Sequence, residues 1–466
     1  MSIKLRRILF YIFLAVFLIT SPLIIAYAEG WRINYTTWNL EKTGGIFLEG
    51  YPSRAIIFIN SEPIQHETGL FKKGLLIDDL APGTYTIHIE NAHGLAWKKV
   101  LDVYSSHVSR ATKIVIPQKN AVSLTLKESI KDFIVKGDTI IGILNKNEIR
   151  AYNIQDLGKT SYIKIIGEKI IAVSPNGKNI VTQTKNGSYF LTNLLNSKSV
   201  LNITTLTETL KPQEKIKAIN SHPYHNQEWI LTFESGAYIL QIKNSILVPV
   251  IKTPHSLLVN TTKNEAFFIT PASTSPKNYN LISYNFLTND LTLITSSTTS
   301  TPEKVIVAQN TLYILNSQNE FMAIELNNRK RIVIKERDVK DIILGREERK
   351  IALIKQKEIV IYYIEKEDQD YIVNEDESIH IPLTKTQENP TKVIWYNDDA
   401  HLVLQSHSGL FLLEIDPRPP RNIWTINENT EPIDYDPEKN KVYFIDNKNL
   451  YELDMGYESY RILLNS

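Results

Sequence analysis

The stretch that decides the fold is KIIAVSPNGKNIVTQTKNGSYFLTNL, residues 169–194. Three short runs rich in Ile, Val, Thr and aromatic residues are separated by polar turns at 174–178 and 185–188. Each turn contains an Asn-Gly pair, which favours the tight hairpins whose twist matches that of antiparallel strands. The stretch therefore predicts a three-stranded antiparallel unit, with structural turn residues at Ser174, Pro175, Asn176 and Gly177.

The same order of strands and turns recurs over the C-terminal part of the chain. Units begin near residues 130, 168, 216, 256, 303, 340, 391 and 432. Repeats of ~40–45 residues with several strands each are typical of β-propellers, whose blades pack radially on two neighbours. The turn at 174–178 resembles those of Trp-Asp-repeat and TolB-like blades. We expect a propeller over residues 121–466 with eight blades, or seven if the two weakest units, the first and the last, share strands to close the ring.

The N-terminus contains an apolar run. Residues 8–28, ILFYIFLAVFLITSPLIIAYA, carry no charge and are long enough to cross a bilayer as one helix. The basic residues of the 1–7 tail predict a cytoplasmic N-terminus and a single-pass cell-membrane protein, with residues 29–466 extracytoplasmic. A cleaved signal peptide is the alternative, because Ala26-Tyr27-Ala28 forms an A-x-A site. The retained helix is preferred because the run is longer than a signal's apolar region and stays bulky up to that site.

Residues 29–42 form a juxtamembrane linker. Its aromatic residues Trp31, Tyr35 and Trp38 either lie at the lipid boundary, where amphipathic rings are favoured, or pack on the next domain.

Residues 43–117 read as a small β-domain. Predicted strands include 46–48, 55–59, 84–90 and 97–103, with 112–116 as the closing strand. A tight turn at 80–83 contains Pro82 and Gly83, which suit the two central positions of such a turn. The whole chain is therefore expected to be all-β, with one N-terminal transmembrane helix, a small β-sandwich and a propeller.

About seventy residues of this domain resemble a PEGA domain, a small β-sandwich module of bacterial and archaeal surface proteins. Pro52 and Ala55 match the P-E-G-A signature, whereas Ser53 and Arg54 replace its Glu and Gly. The L-x-P-G-x-Y element is intact, and a Trp follows in the next strand; these structural motif residues are Leu80, Pro82, Gly83, Tyr85 and Trp97. The resemblance implies a cell-envelope role without known catalysis.

Composition excludes several kinds of chemistry. The chain has no cysteine, which excludes disulfides and thiolate sites, and its formal charge of +1 gives no field that would attract nucleic acid. His222 and His225 are two ligands where zinc sites usually need three or four, and they fall in a hairpin turn. The alternating acids from Asp434 to Asn440 lack the glycine of a calcium loop. Ser408 lacks the G-x-S-x-G context of a hydrolase nucleophile. We predict no catalytic, metal or cofactor-binding residue.

Three inserts stand out from the repeats. Residues 270–280 and 295–304 are rich in Ser, Thr and Pro, and residues 366–378 are acidic. All three are expected to be rim loops, and solvated connection is preferred for each over a binding role.

Three functions are compatible with this organisation. The first is a non-enzymatic envelope protein whose propeller presents a platform for a protein or a cell-wall or surface glycan. The second is a propeller enzyme acting on extracellular glycan or peptide, which would need clustered acidic or His side chains in the central channel. The third is a structural subunit that contacts copies of itself, which would need a large exposed apolar patch.

Overall fold

A computed structural model of the chain confirms the predicted fold class: one N-terminal apolar helix is followed by a β-sandwich and a β-propeller. The structure describes residues 3–34, 39–52, 55–64, 74–90, 95–117, 122–144, 148–154, 162–196, 199–262, 264–272, 275–298, 300–325, 332–428, 433–436 and 441–454.

The first helix leads directly into a short hairpin. Helix α1 (Ile3–Ala28) is long and apolar enough to cross a membrane by length and composition, and its side chains are not buried by the rest of the protein. Two residues separate α1 from β1 (Trp31–Asn34). Strand β1 pairs antiparallel with β2 (Asn39–Lys42), and both strands lie within the predicted linker. Tyr35 and Trp38 lie outside the described residues.

Two sheets form the sandwich. Its strands are β3 (Gly44–Glu49), β4 (Ile56–Ile59), β5 (Glu62–Ile64), β6 (Gly74–Leu80), β7 (Gly83–Glu90), β8 (Ala96–Val103) and β9 (Val108–Ala111). One sheet has the order β6-β3-β9 and the other β5-β4-β7-β8. Alternate residues of both sheets, among them Ile46, Ile57 and Ile89, are fully buried between them.

The last strand of the sandwich differs from the prediction. The closing strand is β9, which runs parallel to β3, and residues 112–116 are not in a strand. The ladder stops because the backbone N–H of Thr112 donates to a carboxylate oxygen of Asp370 in the propeller, 2.9 Å away, instead of to a neighbouring strand. Ile114, Val115 and Ile116 are nevertheless buried.

The remaining strands form eight four-stranded antiparallel sheets, the blades. Blade 1 contains β11 (Ile130–Lys136), β12 (Thr139–Leu144), β13 (Ile149–Asn153) and β14 (Ile163–Ile165), and blade 2 contains β15 (Lys169–Val173), β16 (Asn179–Gln183), β17 (Tyr189–Asn193) and β18 (Val200–Asn202). Blade 3 contains β19 (Ala218–Ser221), β20 (Glu228–Phe233), β21 (Gly236–Gln241) and β22 (Ile246–Ile251). Blade 4 contains β23 (Leu257–Thr261), β24 (Glu265–Ala272), β25 (Ser275–Asn285) and β26 (Leu291–Thr298). Helix α2 (Ile203–Leu210) connects blades 2 and 3.

Blades 5 to 7 continue in the same order, and blade 8 takes one strand from far upstream. Blade 5 contains β27 (Pro302–Ala308), β28 (Thr311–Asn316), β29 (Phe321–Glu325) and β30 (Ile332–Glu336), and blade 6 contains β31 (Asp341–Leu344), β32 (Lys350–Ile354), β33 (Glu358–Tyr363) and β34 (Ser378–Pro382). Blade 7 contains β35 (Lys392–Trp395), β36 (His401–Ser406), β37 (Gly409–Glu414) and β38 (Ile423–Asn427). Blade 8 contains β39 (Ile433–Asp436), β40 (Lys441–Asp446) and β41 (Asn449–Asp454), with β10 (Val122–Leu126) as its outer strand.

Strand β10 closes the ring. It pairs antiparallel with β41 in blade 8, while β11 of blade 1 packs against β39. An apolar cluster lies at each of the eight boundaries between successive blades, including the boundary between blades 8 and 1, and the cluster between blades 7 and 8 is continuous with the core of the sandwich. The propeller therefore has eight blades. The alternative of seven blades assumed that the first and last units share strands to close the ring, whereas the upstream strand β10 completes the eighth blade.

Two predicted rim loops are wrong. Residues 270–280 and 295–304 lie largely in β24, β25, β26 and β27, whose hydrogen-bonded pairing runs past the usual blade length. Segments rich in Ser and Thr can form strands as well as loops, so the abundance of these residues does not indicate which structure is formed.

Candidate functional site

The described residues of the sandwich contact one face of the propeller. Strand direction alternates within a blade, so the turns between strands 1 and 2 and between strands 3 and 4 share one face, which we call the junction face. The contacts use the loops after β33 and β37 and the turn after β35, all on this face at blades 6 and 7. The turns between strands 2 and 3 lie on the opposite face, which we call the free face.

A buried ion pair lies at the centre of the junction. The ammonium of Lys99, 0% exposed, donates to Oε2 of Glu414 at 2.6 Å and to the carbonyl of Arg418 at 3.0 Å. Glu414 also accepts from the Trp97 indole at 2.9 Å and from the Asn422 amide at 2.8 Å. A buried carboxylate is tolerated when charge and hydrogen bonds compensate for lost hydration, and Glu414 has both.

Backbone groups of strand β8 are recognised as well. Asn422 accepts from the Lys98 N–H and donates to the Lys98 carbonyl, both at 3.0 Å. The Val100 N–H donates to the Pro419 carbonyl at 2.7 Å, and the Trp424 indole donates to the Ala96 carbonyl at 3.1 Å. Because these bonds are spread along one strand, they fix the direction of β8 on blade 7 as well as its position.

The acidic insert at 366–378 forms a second region of contact between the propeller and the sandwich. Asp370 accepts from Thr112, and Glu367 is buried in an ion pair with Lys350 of blade 6 at 2.9 Å. Burial alone would raise the pKa of Glu367, but the Lys350 ammonium outweighs it and the pKa is lowered. The expectation of a solvated connection is therefore wrong for these two residues, whose carboxylates hold the sandwich and the loop in place.

A small cleft remains between sandwich and propeller. Its charged lining residues are Lys113, Lys350, Glu367, Asp370, Glu414 and Asp416. The enclosed space holds about one water molecule, which is far smaller than a substrate pocket. The cleft fits a hydrated joint better than a site of catalysis.

A second buried pair lies beside the joint in blade 7. His401 and Asp398, both almost fully buried, are 2.7 Å apart through Nδ1 and Oδ2. Burial alone would lower the pKa of His401, but the Asp398 carboxylate outweighs it and raises that pKa. The pKa of Asp398, which burial would raise, is lowered by the same pairing and by backbone donors.

The structure places the residues of the PEGA-like motif in two groups. Ala55 is buried, the Ala55 N–H donates to the Pro52 carbonyl, and the Tyr85 hydroxyl donates to the Ala81 carbonyl, so these residues support the sandwich itself. Leu80 ends β6, Pro82 lies in the turn, and Gly83 begins β7. Trp97 belongs to the junction. Ser53 and Arg54 lie outside the described residues.

The predicted turn at 174–178 contacts both neighbouring blades. The Asn179 N–H donates to the Ser174 hydroxyl at 3.0 Å, and the Asn176 N–H donates to Asn226 of blade 3 at 3.2 Å. Gly177 has a φ of +71°, and a Cβ there would meet the Lys136 carbonyl of blade 1 at 2.4 Å. Pro175 is exposed.

Glu228 joins the His222–His225 pair, so three potential metal ligands lie within 4.8 Å of one another. Burial and the neighbouring His225 lower the pKa of His222 to about 4, so its ring is neutral at pH 7. However, Nδ1 of His222 accepts from the backbone N–H groups of Tyr224 and His225, both at 3.2 Å, which places the ring proton on Nε2. Because Nε2 is the atom that faces Glu228, a metal there would require the opposite tautomer. The arrangement suits a turn better than a metal centre.

Other polar groups singled out in the sequence are engaged in the fold. The Ser408 hydroxyl donates to the Thr386 carbonyl at 2.6 Å, and the buried neighbour Ser406 donates to the same carbonyl. Asp434 lies in β39, where it accepts from the Val135 N–H and pairs with Lys392 at 3.2 Å. Asn440 and Glu438 lie outside the described residues.

Sequence reasoning missed the junction residues on the propeller side. Glu414, Arg418 and Asn422 lie more than 300 positions from their sandwich partners. The one local signal was Glu414 at the end of an otherwise apolar strand, Gly409–Glu414, which is buried along its whole length.

Comparisons with known proteins agree with a propeller but do not define a family. No family model matches the sequence, and no curated protein matches it. Similar solved structures include Sqt1 of Saccharomyces cerevisiae (11% identity, 71% of this chain and 97% of that one, TM-score 0.46), the WD40 domain of SCAP from fission yeast (10%, 72% and 98%, 0.43) and BamB from Moraxella catarrhalis (8%, 71% and 97%, 0.43). At these low values the likeness adds nothing to the eight sheets described above.

Proposed function

We propose that the chain is a membrane-anchored, extracytoplasmic binding and scaffold protein of the bacterial cell envelope. In this proposal α1 is retained in the cell membrane, the PEGA-like sandwich is a stalk, and the propeller presents a protein- or glycan-binding platform. Retention of α1 is favoured over cleavage after Ala28 because the apolar run at 8–28 is longer than the apolar region of a signal peptide.

The observation that carries the proposal is the buried junction at Lys99 and Glu414. A stalk that only tethers a domain needs no buried charges. A stalk that also fixes the orientation of that domain gains from them, because a buried ion pair favours one specific arrangement of the two domains. The bonds along β8 hold the propeller in one orientation relative to the sandwich. The free face lies opposite these contacts and is the surface we assign to the ligand.

We propose a non-catalytic role for this platform. Charged side chains on the innermost strands pair across blade boundaries, as in Lys304–Asp341 at 2.7 Å and Lys392–Asp434 at 3.2 Å. Such pairs stabilise neighbouring blades, and they engage Asp341 and Asp434, two carboxylates of the innermost strands, in structural contacts.

Because the natural chain has no cysteine, single cysteines carrying a photo-crosslinker can test the platform in native membranes. Lys185→Cys and Lys357→Cys lie on free-face turns of blades 2 and 6, and Lys178→Cys and Glu348→Cys are matched positions on junction-face turns of the same blades; all four residues are exposed. We expect adducts with envelope protein or glycan from the free-face pair. Equal labelling from both faces would contradict the assignment of the face, and an absence of adducts at all four positions would contradict the platform.

A further inference from the structure

The hairpin β1–β2 is amphipathic. Residues directly opposite in an antiparallel pair share a face, and neighbours along a strand alternate. The register Trp31↔Lys42 and Ile33↔Leu40 therefore places Trp31, Ile33 and Leu40 with Lys42 on one face, and Arg32, Asn39 and Glu41 on the other.

The polar face is turned toward the protein. The Arg32 guanidinium donates to the Tyr27 carbonyl at the end of α1, at 2.7 Å, and pairs with Asp79 of the sandwich at 2.7 Å. It also lies 3.7 Å above the Tyr27 ring. One side chain thus links helix, hairpin and sandwich from the polar side.

The apolar face is turned away and is exposed. Ile33 is 50% exposed and Leu40 is 57% exposed. Two residues separate this face from the last residue of α1. The base of the hairpin is closed by the bonds from Thr43 N–H and Oγ1 to the Gly30 carbonyl, at 2.8 and 2.9 Å, and the Gly30 N–H donates to the Tyr27 carbonyl at the end of α1, at 3.1 Å.

We propose that the apolar face of the β1–β2 hairpin lies in the interfacial layer of the bilayer that α1 spans. The occupant is a lipid surface, because the helix end and the hairpin are held together and the face meets the depth at which α1 leaves the hydrocarbon. Trp31 suits that depth, since its ring is apolar and its N–H stays hydrated. Lys42, on the same face, has its ammonium 5.4 Å from the centre of the Trp31 ring and 3.7 Å from a carboxylate oxygen of Glu29, which lies just beyond α1.

This inference rests on the proposed membrane anchor, and a single experiment separates the two. Full-length protein is reconstituted in phosphatidylcholine–phosphatidylglycerol vesicles with one nitroxide-labelled cysteine at a time. Ile33→Cys and Leu40→Cys report the apolar face, Asn39→Cys is the adjacent exposed position on the polar face, and Phe17→Cys reports the helix. Collision rates with oxygen, which concentrates in lipid, are compared with those of a water-soluble nickel chelate.

We expect the Ile33→Cys and Leu40→Cys labels to show an oxygen-to-nickel collision ratio several-fold higher than that of the Asn39→Cys label and closer to that of the Phe17→Cys label. A lipid-exposed label at Phe17→Cys with water-exposed labels at Ile33→Cys and Leu40→Cys would overturn the inference and leave the anchor standing. A water-exposed label at Phe17→Cys would overturn both. Equal lipid exposure at Leu40→Cys and Asn39→Cys would overturn the amphipathic orientation.

Discussion

Single side chains decide how the sandwich is held, and the Lys99–Glu414 pair is the clearest case. Removing one member of a buried ion pair leaves the other charge uncompensated, which typically costs ~3–5 kcal/mol. We expect Lys99→Met to lower the free energy of unfolding by about that amount in chemical denaturation, and the double variant Lys99→Met/Glu414→Gln to recover most of it.

The control for this prediction is an exposed pair. Lys164, whose side chain is 70% exposed, lies 3.5 Å from Glu148. Lys164→Met should change the free energy of unfolding by no more than ~1 kcal/mol, because exposed ion pairs are screened. Similar losses for Lys99→Met and Lys164→Met would show that burial does not set the strength of the junction.

The His401–Asp398 pair predicts a window of pH in which blade 7 is most stable. A His with a raised pKa stabilises the fold below its unfolded pKa of ~6.5 and loses that contribution as pH rises through the folded pKa. An Asp with a lowered pKa contributes above ~3.9 and loses its contribution as pH falls. The advantage of the natural protein over His401→Gln/Asp398→Asn should therefore be largest between about pH 4 and 6.5. Unfolding free energies measured across this range test it, and a difference independent of pH would contradict it.

At the scale of elements, substitutions at two glycines of blade 2 distinguish the energetic cost of backbone conformation from the cost of overpacking. Gly177 and Gly187 have positive φ, +71° and +86°, but only a Cβ at Gly177 would clash, whereas Gly187 has open space. Gly187→Ala should cost only the left-handed conformation, ~1–2 kcal/mol. Gly177→Ala should cost ~2–5 kcal/mol, because overpacking against blade 1 is added. Thermal unfolding of both variants tests the difference, and equal losses would mean that the 174–178 turn does not need close contact with Lys136.

Elements with a regular pattern could be predicted from the sequence. The turns at 174–178 and 185–188 mark their strands because Asn-Gly pairs have a specific backbone preference. Residues 112–116 and 366–378 could not be assigned in this way. Whether Thr112 continues a ladder is decided by Asp370, and whether Glu367 is solvated is decided by Lys350, and neither partner is close in sequence.

For the whole molecule, the shared strand β10 predicts that ring closure limits stability. A propeller fragment of residues 118–466 retains β10, whereas residues 127–466 lack it and leave the edge of β41 unpaired. Both fragments expose the same junction surface, so their comparison isolates the strand. We expect the shorter fragment to unfold at a lower temperature and to aggregate more readily through the open edge. Equal unfolding temperatures would contradict this role of β10.

Counting repeats left the number of blades at eight or seven, of which the structure has eight, and it did not predict the orientation of the propeller. Repeats report local strand order, and each of the eight predicted units corresponds to one sheet. The seating of the sandwich on blades 6 and 7 depends on Glu414, Asn422 and Trp424, whose partners are far apart in sequence. Trp97 was identified from the motif as structural, yet its indole N–H is used across the junction.

The double attachment of the sandwich has a mechanical consequence. In the proposed membrane-anchored role, tension on a ligand bound to the propeller would reach the membrane by two routes: through the covalent connection to β10, and through β8 and the loop after β37. The second route bypasses the seam of the ring, so that load is shared and β10 is not peeled from β41 alone. The buried Lys99–Glu414 pair would then protect the β10–β41 pairing on which closure of the ring depends.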